Sequence, residues 1–430
     1  MSSEDKMEKI ISLAKRRGFI YPGSDIYGGL SGTWDYGPLG VALKNNVKNI
    51  WWRMFVEGRS DMYGVDAAIL MNPKVWEASG HVSGFSDPLV ECKKCKRRFR
   101  ADQVEKACPE CGGGFGGMRQ FNMMFKTNIG ATEDAASVSY LRPETAGGIF
   151  VNFKNIVDSF HPKLPFGVGQ IGKAFRNEIA PRDFVFRTRE FEQMEIEYFV
   201  RPLGWEKKFE ELRDEVYRYT EAVGISRSLV HELEVPDGER AHYSKRTIDF
   251  EFDFPFGRKE LYGLAYRTDF DLTAHSKASG VPLKITDAEG EEPITPHVIE
   301  PSFGVDRTIL ALLVSAYTED ELGGEARTYL KLNAHVAPIK AAVFPLLKNK
   351  PQLVEKARKV YDELKKTVPQ IMWDDNGNIG KRYRRQDEIG TPACITIDFE
   401  TLENDSVTVR SRDSGEQMRV SISELLNIVK

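Results

Sequence analysis

Arginine and glutamate side chains are concentrated between residues 167 and 200, in the sequence GVGQIGKAFRNEIAPRDFVFRTREFEQMEIEYFV. Apolar and polar residues alternate at both ends of this stretch, which predicts two antiparallel strands joined by a charged loop. Small residues beside Arg176 and Glu178, on a face predicted to extend to Ala180, leave room for a ligand above the first strand. The second strand has a mostly acidic face, made of Phe191, Gln193, Glu195 and Glu197.

Four further arginines are placed to bind phosphate groups. Arg182, Arg187 and Arg189 lie in the charged loop, and their forked donors suit polyanions such as a triphosphate. Arg307 follows a predicted strand and opens an apolar helix in VIEPSFGVDRTILALLVSAY, where the helix N-terminus also favours an anion. These residues predict a site for a phosphorylated ligand, although an amphipathic hairpin with surface arginines would also produce the first pattern.

Four of the five cysteines have the spacing C-x2-C-x12-C-x2-C. They are Cys92, Cys95, Cys108 and Cys111. Such pairs supply four thiolates for a closed tetrahedral zinc site, which would be structural because it leaves no open coordination position. A pair of reduced turns that has lost its metal is the alternative. The basic residues around the first pair are compatible with RNA phosphates or with a solvated surface.

These stretches resemble the class II aminoacyl-tRNA synthetases. The run FRNE, the loop and R-x-F-E-Q-M-E are similar to motif 2 of that class and, in detail, to the dimeric glycyl-tRNA synthetases. G-x-D-R followed by an apolar helix is similar to motif 3. A predicted helix at 41–56, a strand at 67–71 and Pro73 resemble motif 1, which builds the dimer interface in the family. The resemblance implies a homodimer and an α+β fold, in which an antiparallel sheet is flanked by helices.

The resemblance also implies an ATP site. Arg176, Arg307 and Glu260 are expected to be catalytic, with Mg²⁺ near Glu260 because a cation that bridges phosphates prefers carboxylate oxygens. Glu178 is expected to contact the adenine amino group, and Phe191 to stack on the adenine ring. The full ATP-binding set is Arg176, Asn177, Glu178, Phe186, Arg187, Phe191, Glu260, Leu261, Gly304, Val305, Asp306 and Arg307.

The run LRPETAGGIF (141–150) is similar to the amino-acid pocket of the family, which usually has Gln at the position of Gly147. A glycine ammonium group needs anionic acceptors, and Glu144, Glu195 and Glu300 supply them in this interpretation. The full substrate-binding set that the resemblance implies is Arg100, Glu144, Phe191, Glu192, Gln193, Met194, Glu195, Glu300, Pro301, Ser302, Phe303 and Gly304.

The order of the predicted elements divides the chain into two domains. Residues 1–332 are expected to be the catalytic domain, with a zinc-ribbon-like insertion at 88–120 and a linker at 318–332. Residues 333–430 alternate strands and helices, which predicts an α/β anticodon-binding domain. Its run GKRYRRQDEIGTP places a stacking ring among cations, which favours contacts to RNA. The predicted tRNA-contacting residues are Lys381, Arg382, Tyr383, Arg384 and Arg385.

Composition bounds these predictions. The 430 residues have a formal net charge of −4, so no global basic field draws the chain to nucleic acid. The N-terminus lacks the apolar segment of a signal peptide, no run reaches transmembrane length, and the unpaired Cys394 argues against a secreted disulfide framework. A cytoplasmic protein without a membrane partner is therefore expected.

The function implied by the resemblance is ATP-dependent ligation of glycine to tRNA(Gly) through a glycyl-adenylate, with release of AMP and pyrophosphate. Two alternatives stay open. One is a non-catalytic class II-like protein that binds RNA as an accessory subunit. The other is a paralogue that activates an amino acid and does not serve tRNA.

Overall fold

The structure is a computed structural model, and it describes residues 3–131, 137–286 and 292–429. The helices are α1 Ser3–Arg16, α2 Pro38–Trp52, α3 Lys74–Ala78, α4 His81–Gly84, α5 Ala146–Phe160, α6 Trp205–Ala222, α7 Phe270–Ser279, α8 Val305–Ala316, α9 Pro351–Thr367, α10 Ile379–Glu388, α11 Phe399–Asn404 and α12 Leu425–Val429. A π-helical turn, Arg53–Glu57, extends α2.

The first eleven strands are β1 Ile20–Pro22, β2 Trp34–Tyr36, β3 Met62–Gly64, β4 Ser86–Glu91, β5 Arg98–Arg100, β6 Arg119–Asn122, β7 Phe125–Asn128, β8 Val138–Leu141, β9 Phe166–Phe175, β10 Glu190–Val200 and β11 Val230–Glu234. They are followed by β12 Arg246–Phe254, β13 Gly257–Thr268, β14 His297–Gly304, β15 Tyr317–Leu322, β16 Glu325–Leu330, β17 Ala341–Pro345, β18 Ile371–Trp373, β19 Ala393–Ile397, β20 Ser406–Ser411 and β21 Gln417–Ser421.

Seven of the described strands form the central sheet, in the order β11-β12-β13-β14-β10-β9-β3. Neighbouring strands are antiparallel, apart from β3, which runs parallel to β9. Helices α2, α6 and α8 pack their apolar side chains against one face and form the main hydrophobic core with it. Because side chains alternate along a strand, the other face of the same strands can carry polar groups. The expected α+β fold is confirmed.

Strand β10 has two faces of opposite character. Met194, Ile196 and Tyr198 are buried in the main core. Glu195 and Glu197 alternate with them and therefore lie on the opposite face of the sheet, where they are also buried. The predicted antiparallel pairing of this strand with β9 is present.

The first strand of the pair is shorter than predicted. Strand β9 ends at Phe175, and the amide of Asn177 donates to the carbonyl oxygen of Met123 at 2.8 Å instead of continuing the ladder. Arg176 and Glu178 therefore begin the loop and do not lie on a strand face. This position allows their side chains to reach over the end of the sheet.

The strand predicted at 67–71 is wrong, because the corresponding strand is β3, which lies earlier in the chain. Within that range the structure has an isolated bridge at Leu70. The carbonyl oxygen of Ala67 accepts a hydrogen bond from the side chain of Arg142 at 2.7 Å. This backbone group is therefore paired with a side chain and not with a neighbouring strand. Pro73 does not end a strand, because it precedes helix α3.

The linker predicted at 318–332 is also wrong, because strands β15 and β16 pair there as a hairpin. Gly323 and Gly324 connect them with φ angles of +64° and +81°. Two residues with positive φ between alternating strands are typical of a type I′ hairpin turn. Arg327 on β16 is buried and bonds to Asp387 in α10 at 3.4 Å, so the hairpin is attached to the C-terminal region.

The C-terminal residues form a sheet of their own, in the order β18-β17-β19-β20-β21, with α9 packed on its separate hydrophobic core. Strand β17 is parallel to both of its neighbours, as the alternating strand–helix pattern predicts. Between α4 and β7, strands β5, β4 and β6 form a small antiparallel sheet beside the four cysteines. Across the three described ranges, no helix is long and apolar enough to cross a membrane.

Candidate active site

Two adjoining cavities open on the polar face of the central sheet. Their volumes are about 300 Å³ and about 280 Å³. Arg176, Gln193, Glu260 and Ser302 line both of them. These residues come from the end of β9 and from β10, β13 and β14, so four strands of one sheet place the two cavities side by side.

The first cavity is rich in arginine. Of the predicted ATP-binding residues, the structure brings together Arg176, Glu178, Phe186, Arg187, Phe191, Glu260, Leu261, Gly304, Asp306 and Arg307. Asn177 and Val305 are outside this lining, and Val305 is buried in the main core. With Arg100, four guanidinium groups line this cavity and make a site for an anion of high charge.

Arg307 lies at the start of α8 and faces Glu260 on β13. Its Nη1 atom is 2.9 Å from a carboxylate oxygen of Glu260, and its guanidinium lies 4.5 Å from the ring centroid of Phe186. The side chain of Glu260 is 48% exposed, so this ion pair can open to a phosphate or a cation at little cost in free energy.

Arg176 is held in place by contacts that leave its terminal nitrogens available. Its Nε donates to the carbonyl oxygen of Pro143 at 3.1 Å. The guanidinium carbon lies 5.4 Å from the ring centroid of Phe85 and 5.2 Å from that of Phe191. An arginine fixed in this way at the boundary of two cavities can bind ligands in both.

Two acids of the first cavity have structural partners. Asp306 accepts from the backbone amide of Glu192 at 2.7 Å, from Lys44 at 3.3 Å and from the hydroxyl of Tyr36 at 2.5 Å. Glu192 pairs with Lys44 at 3.0 Å and with Lys48 at 2.8 Å. These contacts fix the start of α8 against β10 and α2, which positions Arg307 in the next residue.

The second cavity is acidic. Of the predicted substrate-binding residues, Glu144, Gln193, Glu195, Glu300 and Ser302 line it, whereas Arg100, Phe191, Glu192 and Gly304 line the first cavity. Met194, Pro301 and Phe303 line neither cavity. Met194 and Phe303 point into the main core, because the period of two in a strand sends every second side chain to the opposite face.

The carboxylate of Glu195 is fixed by four donors. One oxygen accepts from the backbone amide of Thr145 at 3.1 Å and from its hydroxyl, and the other accepts from Ser302 at 2.9 Å and Gln193 at 3.3 Å. Burial raises the pKa of Glu195, and the charge of Glu144 raises it further.

Glu144 faces His81, with 3.4 Å between a carboxylate oxygen and Nε2. Burial opposes ionisation of Glu144, but the charges of His81, Arg267 and Arg176 outweigh it and lower its pKa to about 2. The other ring nitrogen of His81 is 2.8 Å from the hydroxyl of Ser79. The sequence interpretation missed His81, which precedes the cysteine-bearing segment.

Glu300 is paired with Arg267, which was also missed. Arg267 is 1% exposed and donates to Glu300 at 2.8 Å and to both oxygens of Asp271 at 2.8 and 2.9 Å. Burial, together with the charges of Glu195 and Glu144, raises the pKa of Glu300 to about 8 despite this guanidinium. The i,i+4 spacing of Arg267 and Asp271 is visible in the sequence, but their contact with Glu300 requires the sheet.

Asp249 on β12 is a further acid of the second cavity that the sequence interpretation left without a role. Burial raises its pKa to about 7, and the charges of Glu260 and Glu251 contribute in the same direction. The departure at Gly147 also has a structural counterpart. A Cβ atom at this position would lie 2.9 Å from the ring of Trp76, so the indole occupies the space next to the glycine.

The four predicted metal-binding cysteines come together. The sulfurs of Cys92 and Cys111 are 3.5 Å apart, those of Cys95 and Cys108 are 3.7 Å apart, and all four lie within 4.8 Å of one another. Zn–S bonds of about 2.3 Å in a tetrahedron require sulfur separations of roughly 3.8 Å. The arrangement therefore fits one tetrahedral metal ion.

The predicted tRNA-contacting residues lie on α10 and differ in exposure. Lys381 is exposed, and Arg384 and Arg385 are half-buried. Arg382 is only 1% exposed and donates to the carbonyl oxygens of Pro345, Asp375 and Gly377, so its prediction as a phosphate contact does not fit its position. The hydroxyl of Tyr383 bonds to Thr396 at 2.7 Å, which leaves its ring half-buried.

Comparison with known proteins agrees with this arrangement. The model of the tRNA synthetase class II core domain (G, H, P, S and T) matches residues 125–316, and that of the anticodon binding domain matches residues 340–430. Over 99% of this chain and 77% of the other, the fold is similar to that of Giardia lamblia prolyl-tRNA synthetase in complex with prolyl-adenylate, with a TM-score of 0.72 at 15% identity. Fold and site together define a class II aminoacyl-tRNA synthetase.

Relatives of known name identify the family within this class. Glycine–tRNA ligase of Clostridium kluyveri is 51% identical over 100% of this chain and 99% of the relative. That of Caldanaerobacter subterraneus subsp. tengcongensis is 50% identical over 97% of this chain and 96% of the relative. The chain belongs to the glycine–tRNA ligase family.

Proposed function

We propose that the protein ligates glycine to tRNA(Gly), using ATP to form a glycyl-adenylate and releasing pyrophosphate and AMP. The observation that carries the proposal is the pairing of the two cavities. The first is lined by four arginines and the second by five glutamates, and Arg176 lines both. The triphosphate of ATP would bind among the arginines and the ammonium group of glycine among the glutamates. The α-phosphate and the glycine carboxylate, which react, would then meet at the boundary.

In the first step, a carboxylate oxygen of glycine attacks the α-phosphorus of ATP, and pyrophosphate leaves. Arg176 is proposed to hold the α-phosphate beside the glycine carboxylate, and Arg307 and Arg187 to bind the outer phosphates. Glu178 and Phe191 would contact the adenine. Positioning and neutralisation of charge are sufficient for such a reaction, so the proposal requires no Ser, Cys or His nucleophile.

The class uses Mg²⁺ with ATP, and Glu260 is proposed to bind it. Its carboxylate lies in the first cavity and is half exposed, and carboxylate oxygens are ligands that a hard cation prefers. Bound Mg²⁺ would supply charge neutralisation on the phosphates. Arg307 would then exchange its contact with Glu260 for a phosphate oxygen.

In the second step, a ribose hydroxyl at the end of the tRNA attacks the carbonyl carbon of the adenylate and loses its proton, and AMP leaves with the bonding electrons. The region from 333 to 430 is proposed to bind the anticodon, with Lys381, Arg384 and Arg385 as phosphate contacts. We also propose that the four cysteines bind Zn²⁺, that the protein is a homodimer and that it acts in the cytoplasm.

Glycine specificity is proposed to come from ammonium recognition by Glu144, Glu195 and Glu300, combined with steric exclusion of larger side chains. Steric overlap is repulsive, so a filled pocket rejects an added methyl group more strongly than a pocket that merely fails to bind it.

The test is amino-acid-dependent exchange of pyrophosphate into ATP with each of the twenty amino acids, followed by charging of tRNA(Gly). Exchange with glycine alone, followed by charging, is the expected result. Exchange without charging would favour a paralogue that does not serve tRNA. A folded, metal-loaded protein that gives no exchange but binds tRNA would favour the accessory RNA-binding protein, and exchange with another amino acid would refute the pocket assignment.

A further inference from the structure

Glu197 lies behind the second cavity, in a cluster of three acids. Oxygen atoms of Glu195, Glu197 and Glu300 all lie within 4.8 Å of one another. The three residues are 2%, 0% and 7% exposed, respectively. Glu197 does not line the cavity itself, so it can act on a ligand there only through its neighbours.

The three acids differ in their partners. Glu195 has four donors, and Glu300 accepts from Arg267 at 2.8 Å. Both carboxylate oxygens of Glu197 are buried and have no hydrogen-bond partner among the described residues. An ionised carboxylate in that position would be buried with no donor, which is strongly unfavourable.

The charges around Glu197 do not compensate for another anion. Arg267 already bonds to Asp271 and Glu300. Seven titratable groups from the surrounding elements face the cluster. They are Glu195 on the same strand, Arg267 on β13, Glu300 on β14, Asp271 and His275 on α7, Glu144 before α5 and Tyr243 before β12. Carboxylates outnumber cations in this set, so an additional positive charge or a proton is needed.

We propose that Glu197 stays protonated and donates its proton in a hydrogen bond to Glu300, which positions the Glu300 carboxylate to receive the glycine ammonium group. This role rests on the proposed function and makes Glu197 a positioning residue, because it does not touch the substrate. Register supports the contact, since Glu195 pairs with Ser302 and Tyr198 with Ile299, which brings Glu197 opposite Glu300 on neighbouring strands.

A proton fits this place better than a metal cation. Both oxygens of Glu195 already accept from donors, and one oxygen of Glu300 accepts from Arg267 at 2.8 Å, so few carboxylate oxygens are left to ligate a metal ion. Burial raises the pKa of Glu197 well above its ordinary value, and the charge of Glu300 raises it further, although Arg267 acts in the opposite direction. One oxygen of Glu300 accepts from Arg267, and the other is then available to the proton of Glu197.

The experiment compares the wild type with Glu197→Gln and Glu197→Ala. The amide of glutamine donates as the acid does and has no charge to lose, whereas alanine removes the donor. Glu197→Ala is expected to raise KM for glycine by about tenfold, as for loss of a hydrogen bond to a charged group, with KM for ATP changed less than about twofold. Glu197→Gln is expected to restore most of this loss.

Infrared difference spectroscopy on the same proteins tests the proton directly. The C=O stretch of a protonated carboxylic acid is expected in the wild type with glycine bound, and Glu197→Gln should remove it. A spectrum without that band, or glutamine behaving as alanine does, would mean an ionised Glu197, as in a cation site, and would overturn the proposal. If the wild type showed no exchange with glycine, the proposed function would fail, but the acid band would still decide the protonation state.

Discussion

Replacing Arg176 by alanine should remove the side chain that connects the two cavities. Its Nε donates to the carbonyl oxygen of Pro143 at 3.1 Å, and the two flanking rings hold the guanidinium plane. The remaining nitrogens are thus preorganised donors, which the proposed mechanism assigns to the α-phosphate and the amino-acid carboxylate. Loss of one preorganised donor that stabilises developing charge lowers kcat by about 10²–10³-fold, which is roughly 3–4 kcal/mol. Arg176→Ala should therefore slow glycine-dependent exchange by at least this factor.

Arg176→Lys sharpens this test, because lysine keeps the charge but cannot form a planar fork with two oxygens. It should recover less than about tenfold of the lost rate if geometry matters more than charge. Arg218→Ala is the matched control, since Arg218 is a 63% exposed arginine on α6 that pairs with Glu215 at 3.4 Å, away from both cavities. The reasoning would be refuted if folded Arg176→Ala retained more than about a tenth of the wild-type rate.

Three further outcomes follow from the same contacts. Removing the metal with a chelator should raise KM for ATP, and adding Zn²⁺ should reverse this. The reason is that β4 connects the cysteines to Asp87, whose carboxylate is 2.5 Å from Arg100 beside the first cavity. Because the pKa of Glu300 is raised to about 8 and an ammonium ion prefers the ionised form, KM for glycine should fall between pH 6 and pH 8, by up to about tenfold per pH unit, and Glu300→Gln should flatten that profile. Lys381→Glu should weaken tRNA binding, measured directly, without slowing pyrophosphate exchange. Arg382→Ala should instead lower the midpoint of urea unfolding, because Arg382 is buried against three carbonyl groups.

The elements that carry the two cavities could be predicted from the sequence because their signals are local. Alternation in β10 separates Met194 from Glu195, and the apolar helix after Gly304 marks the position of Arg307. The hairpin at 317–330 had a local signal too, in the Gly323–Gly324 pair, so its absence from the prediction reflects an overlooked turn.

The buried ion pairs were not predictable in the same way. Arg267 meets Glu300 only because β13 and β14 are neighbours in the sheet, and that register depends on pairing between distant segments. The charge run on α10 shows a related limit. Arg382 and Gln386 are four residues apart and share the buried face of the helix, so helical periodicity separates them from Lys381, although the composition of the run does not.

The burial of several acids beside a substrate site has a physical explanation in the two faces of the central sheet. The apolar face packs tightly against α2, α6 and α8, so the backbone under β10 and β14 is fixed by that core. Carboxylates attached to a fixed backbone keep their positions without a ligand, whereas flexible acids would turn toward water. Their unfavourable burial is offset in part by Arg267, and under the proposed function a bound ammonium group would offset more of it. Under the proposed function, a cation that lacks a carboxylate would meet the acids of the second cavity but leave Arg176 without a ligand. The arrangement would therefore favour a zwitterion whose two charges are one carbon apart.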